Sequence, residues 1–268
     1  MRRGWRALPD VIAARAAPGY PRWDVRSVVT PVKEESLAAL GRGLTVLGAF
    51  SAERPVISVA EAAELLELPR STARRTLGTL AALGFLEPAG RGWRPTARAL
   101  RLAAPYLPAD PVPTLLQPAC DRLLAETGAA CLAGTLDGAE VLVIARALPP
   151  QWLARHEAAA RLPAAASAVG RMLLAGLPEP ALDHIPEPRR PGLLTAIAEA
   201  RREGFALVDQ EMELGFRSLA VPLRRFDGRV VAALGLTLRI EAASIATLLT
   251  TLRPLLEAEA ARLADRLL

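Results

Sequence analysis

The 268 residues predict an α+β chain in two parts: an N-terminal winged helix-turn-helix, then a sensor-like domain on a mainly antiparallel sheet. Three observations carry this. Between Val59 and Thr96 a helix-forming run, a tight turn, a second run bearing arginines and a basic hairpin follow in order. Two Asp-Gly pairs, Asp137-Gly138 and Asp227-Gly228, each separate strand-like segments, a strong hairpin signal. The charge is also divided. Residues 1–107 hold 16 basic and 9 acidic side chains and residues 108–268 hold 17 and 19, so a part at +7 precedes one at −2. Such asymmetry suits the first part to a polyanion and leaves the second for another task.

Bulk properties narrow the class. Hydrophobic residues make up 51% but aromatics only 4%, so the cores must be packed with Leu, Ala and Val. The two cysteines, Cys120 and Cys131, form no CxxC and have no second pair, which argues against a zinc site or a disulfide scaffold and fits a reducing cytosol. No apolar run reaches the roughly 18 residues a membrane span needs. The Met-Arg-Arg start is broken by Pro9, Asp10 and Arg15, so neither a signal peptide nor a membrane partner is expected. Arginine enrichment, 32 against one lysine, also follows from coding bias, so placement rather than amount has to carry the argument.

Residues 1–35, with Pro9, Pro18, Gly19, Pro21 and Pro31 among scattered charges, read as a disordered leader or as the product of a misassigned start. The winged helix-turn-helix is expected over 36–96. Leu37, Leu40, Leu44 and Leu47, running to Phe50, predict one face of a first helix. Ser58 and Glu61 have capping-box spacing and start a second helix at Val59. Pro69 ends that helix near Leu68 and opens a third, to Leu83. Ala73, Thr76, Leu77, Leu80 and Leu83 take its core steps, leaving Ser71, Arg74, Arg75 and Gly78 outside. Phe85–Glu87 and Trp93–Pro95 flank Pro-Ala-Gly-Arg-Gly as the wing. Thr96 caps a linker helix from Ala97 toward Tyr106, within a hinge over 97–113 that Pro105, Pro108, Pro111 and Pro113 break. The remaining domain, 114–268, is expected to hold helices at Thr114–Thr127, Ala165–Ala175, Leu193–Glu203 and from Ser244 onward, the last bent at Pro254. Its hairpins pair Cys131–Thr135 with Glu140–Arg146 and Ser218–Arg225 with Arg229–Leu238.

From Arg70 to Arg101 seven arginines face one acid, Glu87. An arginine on the outer face of the third helix offers two parallel donors to a guanine edge, which lysine cannot match. Arg74 and Arg75 fill that role. Arg70, Ser71 and Thr72 stand at the helix start, where amides and dipole favour anions, and suit phosphates. Arg91 and Arg94, on either side of Trp93, suit the backbone or minor groove beside the wing. For any one arginine a solvated helix face is the blander reading; the constellation makes double-stranded DNA the expected partner.

On the segments Leu-Gly-Arg-Gly-Leu-Thr-Val-Leu-Gly-Ala-Phe (40–50) and Leu-Pro-Arg-Ser-Thr-Ala-Arg-Arg-Thr-Leu (68–77), residues 36–107 resemble the DNA-binding domain of the IclR family of bacterial transcription regulators. Residues 161–177, 204–222 and 228–236 are similar to that family's effector-domain motifs, and Val-Asp-Gln-Glu at 208–211 resembles members that sense aromatic-degradation intermediates. The resemblance implies a GAF-like domain binding a small metabolite, often a carboxylate or an aromatic acid. It implies a homodimer or dimer of dimers on a palindromic operator, in the cytoplasm and on the nucleoid when bound to DNA, with no cofactor and no metal. By position it places the effector pocket on Ala168, Val169, Gly170, Asp209, Ser218, Gly235 and Thr237. Independently, Gly170 opens a short helix after the small residues Ala164 to Ala168, leaving room for a ligand and an amide for an anion. Two departures stand out. Glu67 occupies a turn position where the family carries glycine, at a cost of about 1 kcal/mol in a left-handed backbone. Gly235 and Ala165 replace polar and aromatic or histidine residues, which predicts a roomier, less polar pocket.

Asp209, Glu211 and Glu213 fall at period two, so on a strand they would share a face and could hold a metal or an unusual pKa; a solvated edge is the blander reading. An enzyme using Asp209, Glu211 and Ser218 is therefore the alternative function. Against it, Ser218 has no Gly-x-Ser-x-Gly elbow, and the two histidines, His156 and His184, lie in polar, proline-flanked stretches that suit the surface. A sensor that has lost specific DNA binding is a third reading, opposed by the arginine face.

Overall fold

Ser58 and Pro69 punctuate the N-terminal part. In the computed structural model, which describes residues 37–51, 54–103, 112–152, 161–178, 182, 192–264 and 266, helix α1 spans Ala38–Gly48, α2 Val59–Leu66 and α3 Arg70–Ala82. The capping box is formed: Glu61 donates its amide to Ser58 Oγ at 3.2 Å, and the Ser58 amide donates to Glu61 Oε2 at 2.8 Å. These bonds from Ser58 hold the Glu61 carboxyl below its usual range. Glu67 closes α2 at φ 52, so the residue standing in the family's glycine position does take the left-handed backbone. Ala73, Leu77 and Leu80 of α3 pack with Val46, Ala49, Ile57, Ala62 and Leu86.

The wing consists of β2 (Leu86–Ala89) and β3 (Gly92–Pro95), turned at Gly90 with φ 58. A strand not expected from the sequence, β1 (Ile57–Ser58), pairs with the other side of β3, giving the order β1-β3-β2. Thr96 caps a 3-10 turn, Ala97–Ala99, that runs into α4 (Leu100–Ala103). Tyr106, the prolines at 105, 108 and 111, the leader 1–35, His156 and His184 lie outside the described residues.

Two expectations here are corrected. Only the C-terminal half of the stripe on α1 faces this domain's core: Leu47 and Phe50 pack against it, whereas Leu37, Leu40 and Leu44 are 77%, 61% and 56% exposed. The core also takes Val46 and Ala49, because α1 approaches α3 through Gly43, where an added Cβ would stand 3.7 Å from Leu80. Leu83 is exposed as well, since α3 ends one residue before it.

The second part begins with α5 (Val112–Thr127), two residues earlier than expected because Pro113 fits a first helical turn, where its missing amide is harmless. Gly138 (φ 60) and Gly228 (φ 80) turn the two hairpins, β4 (Ala130–Asp137) with β5 (Glu140–Ala147) and β8 (Phe216–Arg224) with β9 (Val230–Arg239). With β6 (Arg161–Pro163) and β7 (Ala206–Asp209) they form an antiparallel sheet ordered β6-β5-β4-β9-β8-β7. One face packs on α5 and the C-terminal helix α9 (Arg253–Ala264), the other on α6 (Ala168–Ala175) and α7 (Leu193–Glu203). Between α7 and α9, β7 to β9 are followed by the short α8 (Ile245–Thr247), which Ser244 caps. The bend expected at Pro254 is a widened π-type turn at Leu248–Leu252, just ahead of the residue that lacks an amide. Helix α6 begins at Ala168 rather than Ala165, because Ser167 is its cap.

The β4–β5 register shifts between Ala133 and Gly134, which pair with Ala145 and Val143, leaving Ile144 as an extra residue. Its effect is a change of phase. Val141 and Val143 face α6, whereas Ala145 and Ala147 face α5. Among the described residues no helix is long and apolar enough to cross a membrane.

Candidate DNA-binding face and effector cavity

On α3, Ala73, Leu77 and Leu80 are buried at three- and four-residue steps, so the intervening Arg70, Ser71, Arg74 and Arg75 project outward. Thr72 is half-buried and its amide donates to Pro69 O at 2.9 Å. Among the described residues Arg70, Arg74, Arg75 and Arg91 are exposed and carry no ion pair. Arg94 differs. It stands directly across the wing from Glu87, and its Nε and Nη2 both reach Glu87 Oε1 at 2.6 Å. The wing thus offers one unneutralised arginine, at its tip.

In the second part a cavity of about 720 Å³, counted out to its open mouth, lies on the α6 side of the sheet. Its floor follows one cross-strand row: Ala130 on β4 pairs with Thr237 on β9, Thr237 with Ser218 on β8, and Ser218 with Val208 on β7. The Ser218 and Thr237 hydroxyls lie 2.9 Å apart in the middle of that row. Leu132, Val143, Leu148, Leu162 and Met212 make most of the remaining wall, together with Trp152 and Phe216, whose rings meet edge to face at 5.1 Å. Two charged residues also line it, Arg146 from β5 and Glu213 from the β7–β8 connection, at opposite ends of the row. Arg146 faces inward because of the extra residue Ile144, since strict alternation from Val141 would have turned it to the α5 side. Gln117 of α5 holds its backbone from both sides, donating to Arg146 O at 2.9 Å and accepting from Arg146 N at 3.2 Å.

Of the seven residues assigned to the pocket by resemblance, Ser218 and Thr237 line the cavity. Asp209 does not. It neighbours Val208 on a strand and points to the other face, where Arg217 Nε donates to it at 2.8 Å. Gly235 lies one pleat from Thr237, and an added Cβ there would come within 2.7 Å of Val169 Cγ2, so Val169 already occupies the space the glycine leaves. Ala168 is buried in α6. The Gly170 amide is not available to an anion, because it donates to Ser167 Oγ at 3.1 Å; the glycine is required instead by Ala164 O, 2.2 Å from where a Cβ would stand. The extra room expected at Gly235 and Ala165 is thus filled, by Val169 and by the packing that leaves Ala165 buried.

The carboxylate trio is also dispersed. Strand β7 ends at Asp209 and Gln210 takes φ 62, which breaks the period. Asp209 pairs with Arg217 and Glu211 with Arg171, while Glu213 turns to the cavity. Arg146, Trp152, Met212, Glu213 and Phe216 were not singled out from the sequence; a lone arginine in the apolar run Val-Leu-Val-Ile-Ala-Arg-Ala was the one local signal.

A helix-turn-helix presenting unpaired arginines, followed by a sheet domain with a mostly apolar cavity, defines a ligand-responsive DNA-binding regulator. Residues 39–90 match the IclR helix-turn-helix domain and residues 105–263 the bacterial transcriptional regulator IclR C-terminal domain. The chain belongs to the IclR family. It is 32% identical over 222 residues to the Pca regulon regulatory protein of Pseudomonas putida, covering 76% of this chain and 75% of that one. An IclR family transcriptional regulator from Brucella abortus has a similar structure, with 25% identity, a TM-score of 0.75, and 90% and 98% of the two chains covered. An IclR homolog from Microbacterium hydrocarbonoxydans, complexed with 4-hydroxybenzoate, is 25% identical with a TM-score of 0.68, covering 85% and 98%. The family is one of regulators, which sets aside the enzyme built on Asp209, Glu211 and Ser218.

Proposed function

We propose that this regulator responds to a planar aromatic acid held in the sheet cavity. The observation that carries the reading is Arg146, a cation in a mostly apolar chamber, at the end of the row away from Glu213, whose wall includes the Trp152–Phe216 pair. A carboxylate would meet the guanidinium, the ring would lie against the aromatic edge and face, and a polar substituent would reach the Ser218–Thr237 hydroxyls. The 4-hydroxybenzoate carried by the Microbacterium relative supports this chemistry. Arg74 and Arg75 are proposed to read bases, with Arg70, Ser71, Thr72 and Arg91 on the phosphates; Arg94 contributes less because Glu87 neutralises it.

The division of the chain is read as 36–96 for DNA, 97–113 as linker and 114–268 for the effector, in a protein working in the cytoplasm and on the nucleoid. Leu37, Leu40, Leu44, Leu100 and Leu102 stand exposed on α1 and at α4, an apolar set that a second copy would cover, as a dimer or dimer of dimers on a palindromic operator.

The test is titration of the full chain with 4-hydroxybenzoate, followed by the fluorescence of Trp152, with Trp152→Phe to assign the signal among the four tryptophans. Arg146→Gln should weaken binding about tenfold or more. Saturation in the wild type with unchanged affinity in Arg146→Gln would remove the arginine from the site.

A further inference from the structure

Residues 210–215 join β7 to β8 and carry Met212 and Glu213 to the cavity wall. The segment has little regular structure of its own. Gln210 takes a left-handed backbone, Leu214 at the tip is 83% exposed, and three amide bonds close the base: Gln210 N to Phe216 O at 2.8 Å, Gly215 N to Gln210 Oε1 at 3.3 Å and Phe216 N to Glu213 O at 3.3 Å.

Among the described residues Arg171 ties Glu211, in the segment, to helix α6. This side chain is on α6 and only 7% of the residue is exposed. Its Nε donates to Ala165 O at 2.9 Å, its Nη1 to Glu211 Oε1 at 2.8 Å and its Nη2 to Glu211 Oε2 at 2.5 Å. A guanidinium held on three nitrogens has one orientation. Burying a cation to grip a loop carboxylate is a poor route to stability, since an apolar side chain of similar volume often packs at least as well. Such a pair is better explained by where it puts its neighbours. Neither Arg171 nor Glu211 lines the cavity, yet the next two residues do. The same helix supplies Val169, which packs on Gly235 beneath the floor, so floor and wall hang from one element.

We propose that the Arg171–Glu211 pair is a latch that positions Met212 and Glu213 against the bound effector, so that Arg171 sets effector affinity without touching the ligand. This rests on the cavity being the effector site. Arg171 is a positioning residue in this scheme, and the segment it holds forms one wall of the chamber.

The test uses Glu211→Gln, which keeps the shape, loses the charge and alters a side chain that is 44% exposed, a milder change to the fold than removal of the buried Arg171 side chain. Arg171→Lys serves as the second variant, keeping charge without the fork. In ligand-free protein, hydrogen exchange at the Gln210, Gly215 and Phe216 amides should quicken about tenfold in Glu211→Gln while amides in the middle of β8 and β9 stay unchanged. Dissociation of 4-hydroxybenzoate should quicken about fivefold, with Arg171→Lys between that variant and the wild type. Unchanged exchange at the three amides overturns the latch, and so does quickened exchange with unaltered release of the acid. If the wild type takes up no aromatic acid, that reading of the cavity fails, and exchange at the three amides alone decides the latch.

Discussion

Arg75 and Arg94 have the same chemistry and lie on the same small domain, yet their electrostatic standing differs. Arg75 projects from α3 with no acid beside it, whereas Arg94 is held at 2.6 Å by Glu87. Charge reversal should separate them. Arg75→Glu is expected to cost operator binding about 3 kcal/mol or more and to leave the fold intact, as read by gel shift and circular dichroism. Arg94→Gln is expected to cost well under about 1 kcal/mol. Equal losses for the two would mean that the wing and α3 share the readout. At this scale the sequence names the residue types well and their partners poorly. Asp209 looked like a pocket residue until Arg217 was found across the strand from it, and pairing of that kind depends on register.

Among the elements, α2 offers the cleanest measurement. Ser58→Ala removes the hydroxyl that accepts from the Glu61 amide, keeps the backbone bond from residue 58 to Glu61 Oε2, and is expected to lower stability by about 1 kcal/mol in chemical denaturation. Glu61 is held below its ordinary pKa in the folded state, so its contribution is present above the unfolded value and disappears as pH falls through the folded one. The difference between wild type and Glu61→Gln should therefore shrink in acid, and a gap that widened there would show that the ionised carboxylate does not stabilise the cap. The box, the Pro69 break, both Asp-Gly hairpins and the Thr96 cap were legible because each is a local rule satisfied within a few residues. What stayed hidden was set at longer range. The leucines of α1 have a helical period, but the period does not say how far along the helix the domain covers it: Leu47 packs on the core beside Val46 and Ala49, while Leu37, Leu40 and Leu44 stay outside. The cavity was hidden for the same reason, being assembled from six strands and two connections.

For the whole molecule, the charge division has a thermodynamic signature. A part at +7 meeting a polyanion releases counterions, so operator affinity should fall by on the order of 10³ between about 50 and 200 mM salt, while the affinity of a small acid in the proposed chamber should change little. Comparable salt slopes for both ligands would contradict that separation. The extra residue at Ile144 bears on the molecule in another way. Because it resets the alternation of β5, the sign of charge inside the chamber is governed by the length of one strand as well as by which residues occupy it. Removing a single codon there would turn Ala145 and Ala147 inward in place of Arg146 and Leu148, which takes the cation out of the chamber, widens it and leaves the Glu213 carboxylate in its wall, without altering any other residue. A lineage of such sensors can therefore change the class of compound it answers to by insertion and deletion, along a path that point substitutions alone would not reveal.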